Sequence, residues 1–144
     1  KIPVSAEGLP AIKRLAAEGV NITATAIYSA LQGILAVLAG AKYIAVYYNR
    51  MENNCTDPNL VIREIRSFID NSESDAKILA ASFKNVSQVM EAYTNGAQSA
   101  TVAPSIISAG LGMASIGDAV RSFANDFHEI HGVGQNMKTI GEQK

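Results

Sequence analysis

Short strand-like runs alternate with helical segments along most of the chain. The strand-like runs lie at residues 2–4, 22–25, 43–47, 78–81 and 100–102. Each strand together with the helix after it takes about 20–35 residues, the spacing of parallel strands joined by right-handed crossovers. Five such units fit in 144 residues, whereas a closed eight-stranded barrel typically needs about 250. The pattern therefore predicts a parallel α/β structure resembling an incomplete barrel.

Several residues are typical of helix starts. Ser5 is a candidate cap for the first helix, and Asp57 followed by Pro58 marks another helix start. Asn85 and Gln88 have the spacing of a capping box. Residues 49–57, by contrast, are predicted to form a polar loop.

The C-terminal region is predicted to form a helix and a tail. Residues 1–131 are expected to form one domain that includes this terminal helix, and residues 132–144 a flexible tail rich in polar residues and glycine. One face of the predicted helix at residues 118–130 is apolar, which most simply indicates packing into the core. This apolar stripe consists of Val120, Phe123, Phe127 and Ile130.

Composition argues against several classes of function. The chain is 48% hydrophobic, too apolar for a disordered chain. Its net charge of −1 provides no positive field for nucleic acid or an anionic membrane, and the apolar stretch at 26–39 is shorter than a bilayer span. Cys55 is the single cysteine, so a cytoplasmic location is expected. His128 and His131 lack a third ligand cluster, and no metal site is predicted.

Alternation along the strands groups residues by sheet face. One face is expected to carry Lys1, the threonines at 23 and 25, a small alanine and a tyrosine at 45 and 47, and residues 78, 80 and 82. The opposite face is expected to pack under helices, with Leu79 and Ala81 among its residues. A wall built for stability alone would contain fewer polar groups, because each must find a partner when buried.

Four motifs occur in order: KIPVSAEGL at 1–9, TAIY at 25–28 with QG at 32–33, AVYYNR at 45–50 and KILAASFK at 77–84. Together they resemble the second half of the transaldolase family, specifically its small fructose-6-phosphate aldolase-like branch. The resemblance implies a TIM (β/α)8 barrel, of which this chain covers roughly strands 4–8 and their helices plus a C-terminal helix. It departs from the family at Val46, where proline is usual, and in the position of Pro104.

The resemblance also implies site residues. Lys1 matches the lysine that forms a Schiff base with a ketose, and Thr25 matches a residue near that lysine. Tyr47 matches a position whose hydroxyl positions water or relays a proton. The remaining matches are a small lining residue, Ala45, and the pair that holds the distal phosphate of the substrate, Arg50 and Ser82.

The activity implied is that of a class I, metal-independent aldolase that cleaves fructose 6-phosphate between C3 and C4, with no cofactor. Tyr47 and Asn49 favour this branch over a transaldolase of the pentose phosphate pathway, which is the alternative. A third hypothesis is a non-catalytic barrel fragment or assembly module. The implied partners are sugar phosphates and further copies of the chain, in a pentamer or decamer.

The family draws an acidic group and further polar partners from its first three strands. None of these residues lies in a sequence that begins at the fourth-strand lysine. We therefore expect an N-terminal half to accompany this chain.

Overall fold

A computed structural model describes residues 1–141 as two compact units. The first unit extends from Lys1 to Ile106, and the second begins at Ile107. All five strands lie in the first unit.

The first unit is built on one parallel sheet in which sequential strands are neighbours. Its order is β1-β2-β3-β4-β5, and every pairing is parallel. This confirms the prediction of a parallel α/β fold. The strands are β1 (Ile2–Pro3), β2 (Thr23–Ile27), β3 (Tyr43–Val46), β4 (Lys77–Ala80) and β5 (Ser99–Ala100).

Helices connect the strands and continue the chain after the sheet. They are α1 (Gly8–Ala17), α2 (Ala30–Leu38), α3 (Tyr48–Asn53), α4 (Pro58–Asn71), α5 (Val86–Thr94), α6 (Pro104–Leu111), α7 (Ala114–His131) and α8 (Met137–Gly141).

Helix α3 corrects the first part of the predicted loop at residues 49–57, whereas residues 54–57 do form a connection between helices. The segment is polar in sequence, but Tyr48 and Met51 are both fully buried. These two residues lie three positions apart, so one helical turn places both on the same side. Burial of two large side chains therefore outweighs the polar composition of the segment.

Side chains cap the helices largely as the sequence indicates. The Ser29 Oγ accepts from the N–H of Gln32, Asp57 accepts from two N–H groups of α4, and the Asn85 Oδ1 accepts from the N–H of Gln88. At α1 the Ser5 Oγ accepts from the N–H of Gly8 at 3.0 Å, although Glu7 is the residue that directly precedes the helix.

An apolar core lies between the sheet and helices α1, α2, α4 and α5. Ile44 of β3 and Ile78 of β4 are fully buried there and pair in register. Apolar residues of the helices complete this core, including Ile12, Val37, Ile62, Ile65 and Ala92.

The register also corrects part of the predicted face assignment. Residues paired across a parallel sheet share a face, so Ile78 lies on the apolar face with Ile44. Ala80 also belongs to this core, whereas Leu79 does not. The predicted faces of the β4 residues are therefore wrong, because alternation within one strand does not say which of the two sets meets the helices.

The second unit leaves most of its apolar side chains exposed. Phe123 is 70% exposed and Ile130 is 77% exposed, and none of the residues of α7 is buried. The prediction that this stripe lies in a core is therefore wrong. Residues 132–144 contain the short helix α8, and residues 142–144 lie outside the described part of the chain. Within residues 1–141, no helix has both the length and the apolar character needed to cross a bilayer.

Candidate functional site

Polar side chains from adjacent strands meet near the carboxyl edge of the sheet. Thr25 lies in β2 and is 7% exposed, and Tyr47 directly follows β3. The Oγ1 of Thr25 and the hydroxyl oxygen of Tyr47 are 3.0 Å apart, and either group can donate the hydrogen bond. Carboxyl edges of parallel strands are the usual sites of chemistry in α/β folds. The structure thus brings together two of the predicted catalytic residues.

A local irregularity lies next to this hydroxyl pair. Ala26 has a positive φ of 58°, and the register between β2 and β3 shifts between Ala24 and Ile27. A non-glycine residue in the left-handed region carries a strain of about 1–3 kcal/mol, and such residues cluster at functional sites. Ala45, two residues before Tyr47, is fully buried.

Arg50 lies against Tyr47 and Tyr28. Its guanidinium carbon is 4.7 Å from the centre of the Tyr47 ring, a cation–π arrangement. Its Nη1 donates to the Tyr28 hydroxyl at 3.5 Å, and this hydrogen bond raises the pKa of Arg50. The Tyr28 and Tyr47 rings meet edge to face, 5.6 Å apart. A permanent positive charge is therefore held at the same edge as the hydroxyl pair.

Ser82 lies beyond the end of β4 in a strained turn. Its φ is 67°, and its carbonyl oxygen accepts from the N–H of Asn49 at 3.0 Å. The neighbouring N–H of Tyr48 donates to the carbonyl of Ala81 at 2.8 Å. These two bonds join the start of α3, which carries Arg50, to the turn at Ser82.

Lys1 precedes β1 and its side chain is exposed. Pro3 pairs with Thr25, so alternation along β1 places Lys1 on the same sheet face as Thr25. The lysine forms no hydrogen bond or ion pair with the described residues 1–141. The connection that follows is tight, because a Cβ at Gly8 would overlap the carbonyl oxygen of Pro3. Lys1 thus shares the face of the hydroxyl pair without contacting it.

Two residues at this edge were not assigned a role in the site from the sequence. The sequence indicates Tyr28 only as part of a motif, yet its ring contacts Tyr47 and its hydroxyl accepts from Arg50. The sequence predicts Gln88 only as part of a capping box, yet its side chain bonds to Asn49 and Glu52 of α3. The capping-box spacing thus identified Asn85 as the cap, but the Gln88 side chain accepts from the N–H of Lys84 rather than from that of Asn85. Its bonds to α3 were not predicted.

A separate polar network supports α3 from the helix side. The hydroxyl oxygen of the fully buried Tyr48 lies 2.8 Å from both Glu91 Oε2 and Asn59 Oδ1. Burial, together with the nearby Glu91 carboxylate, raises the pKa of Tyr48. Hydrogen bonds from Asn59, Tyr48 and Ser87 lower the pKa of Glu91. Tyr48 therefore stays neutral while Glu91 stays ionised near neutral pH.

The donors at this edge suit an organic anion and a hydroxylated substrate. Arginine donates paired hydrogen bonds to phosphate oxygens, and the Thr25 and Tyr47 hydroxyls can pass a proton between them. Asn125, His128, Glu129 and Val133 line a pocket of about 380 Å³ in the second unit. Across residues 1–141 no three His, Cys, Asp or Glu side chains converge as a metal site.

Helices on one face, polar groups on the other and an arginine at the carboxyl edge define an α/β protein with an enzyme-like site. All 144 residues match a family described as Transaldolase/Fructose-6-phosphate aldolase. The chain is 49% identical over 140 residues to a protein of Streptococcus pneumoniae (strain ATCC 700669 / Spain 23F-1) named "Probable fructose-6-phosphate aldolase". The alignment covers 97% of this chain and 61% of that relative. The chain therefore belongs to the transaldolase/fructose-6-phosphate aldolase family.

Proposed function

We propose that this chain carries the Schiff-base lysine and the phosphate-binding residues of a class I aldolase. The substrate is fructose 6-phosphate, and the products are dihydroxyacetone and glyceraldehyde 3-phosphate. The observation that carries the proposal is the contact of Thr25, Tyr47 and Arg50 at one sheet edge, on the face that Lys1 shares by register. Family membership supplies the class of reaction.

The reaction begins with covalent attachment of the ketose to Lys1. The neutral Nζ amine adds to the C2 carbonyl, and loss of water gives an iminium ion. Removal of the proton from the C4 hydroxyl breaks the C3–C4 bond and releases glyceraldehyde 3-phosphate. The bonding electrons pass to the iminium, which becomes an enamine. Protonation at C3 and hydrolysis then release dihydroxyacetone and restore the amine. The iminium serves as the electron sink, so this sequence uses no metal or organic cofactor.

Each remaining site residue has a separate role in this proposal. Tyr47 relays protons to the water that forms and cleaves the Schiff base, and Thr25 orients its hydroxyl from 3.0 Å. Arg50 and Ser82 bind the phosphate of the substrate, with the guanidinium supplying charge and the hydroxyl a further donor. Ala45 leaves room for the sugar carbons.

The fold and assembly belong to the same proposal. We place the five strands as strands 4–8 of a TIM (β/α)8 barrel, consistent with their parallel order. We also propose a homo-oligomer, a pentamer or decamer. The exposed apolar residues of α7 support it, since large exposed apolar patches usually mark interfaces. Light scattering of the native protein measures the number of subunits.

Borohydride trapping tests the chemistry directly. The protein as it occurs in the cell is incubated with fructose 6-phosphate, reduced and mapped by peptide mass spectrometry. We expect one reduced adduct on the Nζ of Lys1. Lys1→Met should abolish the adduct, whereas Lys13→Met, an exposed lysine of α1, should leave it unchanged. An adduct on another amine, or on the α-amine of Lys1, contradicts the assignment. Activity should persist in excess EDTA.

A transfer assay separates the two activities of the family. An aldolase releases dihydroxyacetone to water, whereas a transaldolase passes it to an aldose phosphate in a ping-pong sequence. We expect release without an acceptor. Turnover that requires an aldose phosphate acceptor would establish the transaldolase alternative, and absence of both reactions together with absence of the adduct would favour a non-catalytic module.

A further inference from the structure

Gln88 is a buried polar residue whose side chain contacts more than its own helix. It lies in the first turn of α5 and is 6% exposed. Its Oε1 accepts from the N–H of Lys84 at 2.7 Å. Its Nε2 donates to Asn49 Oδ1 at 3.0 Å and to a carboxylate oxygen of Glu52. Both ends of one amide are therefore bonded, as burial of an amide requires.

These bonds link the two segments that carry the proposed phosphate ligands. Asn49 and Glu52 flank Arg50 in α3, and Lys84 follows the turn at Ser82. The backbone bond from Asn49 to Ser82 joins the same two segments. Gln88 thus provides a second, side-chain connection between the arginine and the serine.

Helix capping alone does not account for both ends of this amide. Gln32 holds the equivalent position at the start of α2, where its Oε1 accepts from the N–H of Tyr28 at 2.8 Å. Within the described residues, the Nε2 of Gln32 donates no hydrogen bond. The cap therefore needs the oxygen, and the two bonds from the Gln88 nitrogen to α3 are additional.

We propose that Gln88 is a positioning residue for phosphate recognition. By bonding to Asn49 and Glu52, which lie on either side of Arg50 in α3, it sets the distance between the guanidinium and the Ser82 turn and so determines how tightly the substrate phosphate is bound. This inference rests on the proposed function of Arg50 and Ser82. It assigns Gln88 no contact with the reacting carbon atoms.

Gln88→Glu isolates the nitrogen contacts. Glutamate keeps an oxygen for the N–H of Lys84 but replaces the donor with a carboxylate facing Glu52. The native protein is assayed in the synthetic direction with dihydroxyacetone and either glyceraldehyde 3-phosphate or glyceraldehyde. We expect the KM for the phosphorylated aldehyde to rise about tenfold, the size of one lost charge-assisted hydrogen bond. The kcat should stay within about twofold for both aldehydes.

Two further variants separate positioning from general damage to the fold. Adding Glu52→Gln to Gln88→Glu restores a donor and acceptor pair, so the KM should return to within about threefold of the original value. Asn49→Ala removes one contact without changing α5, and we expect a smaller rise of about threefold. Gln98→Glu is the matched control, because Gln98 also accepts from a backbone N–H, that of Ile78, far along β4 from Ser82. It should leave both KM values unchanged.

The results distinguish this inference from the function beneath it. Suppose that the ketose is trapped on Lys1, but that Gln88→Glu and Asn49→Ala raise the KM for both aldehydes equally or for neither. Gln88 then has no positioning role, while the aldolase proposal stands. If the KM of the double variant stays high although circular dichroism shows that it is folded, loss of the contact with Glu52 does not explain the raised KM of Gln88→Glu, and the positioning role is contradicted. If the unmodified protein neither traps the ketose nor joins the two substrates, both proposals fail together.

Discussion

The two faces of the parallel sheet differ in what they contain. On the helix face, Ile44 and Ile78 are fully buried and pair across β3 and β4. On the opposite face, Thr25 and Tyr47 bond to each other, and Arg50 lies over the tyrosine ring. Apolar burial supplies most folding free energy, whereas hydroxyls and a guanidinium contribute little to stability and much to chemistry. One face of the sheet is therefore an apolar core, and the other carries the polar groups proposed for catalysis.

Helix α3 belongs to both regions. Tyr48 and Met51 enter the core, while Arg50 between them in sequence lies at the polar edge. A change on the core side of α3 can therefore displace the arginine, and Gln88 restrains the same helix from α5.

The largest expected effect is on the helix face. Ile78→Ala should lower the free energy of unfolding by about 2–5 kcal/mol, because it opens a cavity in a fully buried position. Urea denaturation followed by circular dichroism measures the loss, with Ile78→Val as a milder control at about 0.5–1.5 kcal/mol. If Ile78→Ala lowers the free energy of unfolding by less than Ile78→Val does, the helix face does not dominate stability and the proposed difference between the two faces fails.

On the polar face, Tyr47→Phe should separate activity from stability. We expect kcat for cleavage of fructose 6-phosphate to fall about 100-fold, since the hydroxyl that relays protons is lost. The free energy of unfolding should change by no more than about 1 kcal/mol. Steady-state kinetics and urea denaturation of the same sample provide the test. Equal activity with lower stability would reverse the roles assigned to the two faces.

Tyr48→Phe tests the polar network buried behind α3. The free energy of unfolding of the variant should be about 1–2 kcal/mol lower at neutral pH, because the hydrogen bond to the Glu91 carboxylate is removed. The folded pKa of Tyr48 is raised, so its contribution is complete below the unfolded value of about 10 and is lost as pH rises through the folded value. The difference between parent and variant should therefore narrow above pH of about 10. A constant difference across that range contradicts the assignment.

The smallest expected effect is the contribution of Glu91 to stability, which should be lost at acid pH. Its folded pKa is lowered, so its contribution is present above the unfolded value of about 4.3 and disappears as pH falls through the folded value. The Tm of Glu91→Gln should thus be lower than that of the parent at pH 7, and the two Tm values should converge in acid. Exposed Glu64→Gln, on α4, serves as the control for removing one negative charge.

Local patterns predicted the elements and part of the site. Alternating apolar runs indicated all five strands, and Asn85 and Asp57 were correctly identified as caps. Motif resemblance indicated Thr25, Tyr47 and Arg50, which the structure brings into contact. The positive φ values of Ala26 and Ser82 were not predictable, because neither residue favours that conformation and only surrounding bonds can maintain it.

By itself, the sequence determined the order of the strands and of most helices, several helix caps and the family, since these depend on neighbours in the chain and on residue identity. Only the tertiary structure decided which face of β4 meets the helices, that residues 48–53 form a helix, and that Gln88 reaches α3. Each of those outcomes depends on contacts between residues far apart in sequence. A one-dimensional pattern contains no information about which of two equivalent faces such a contact will cover.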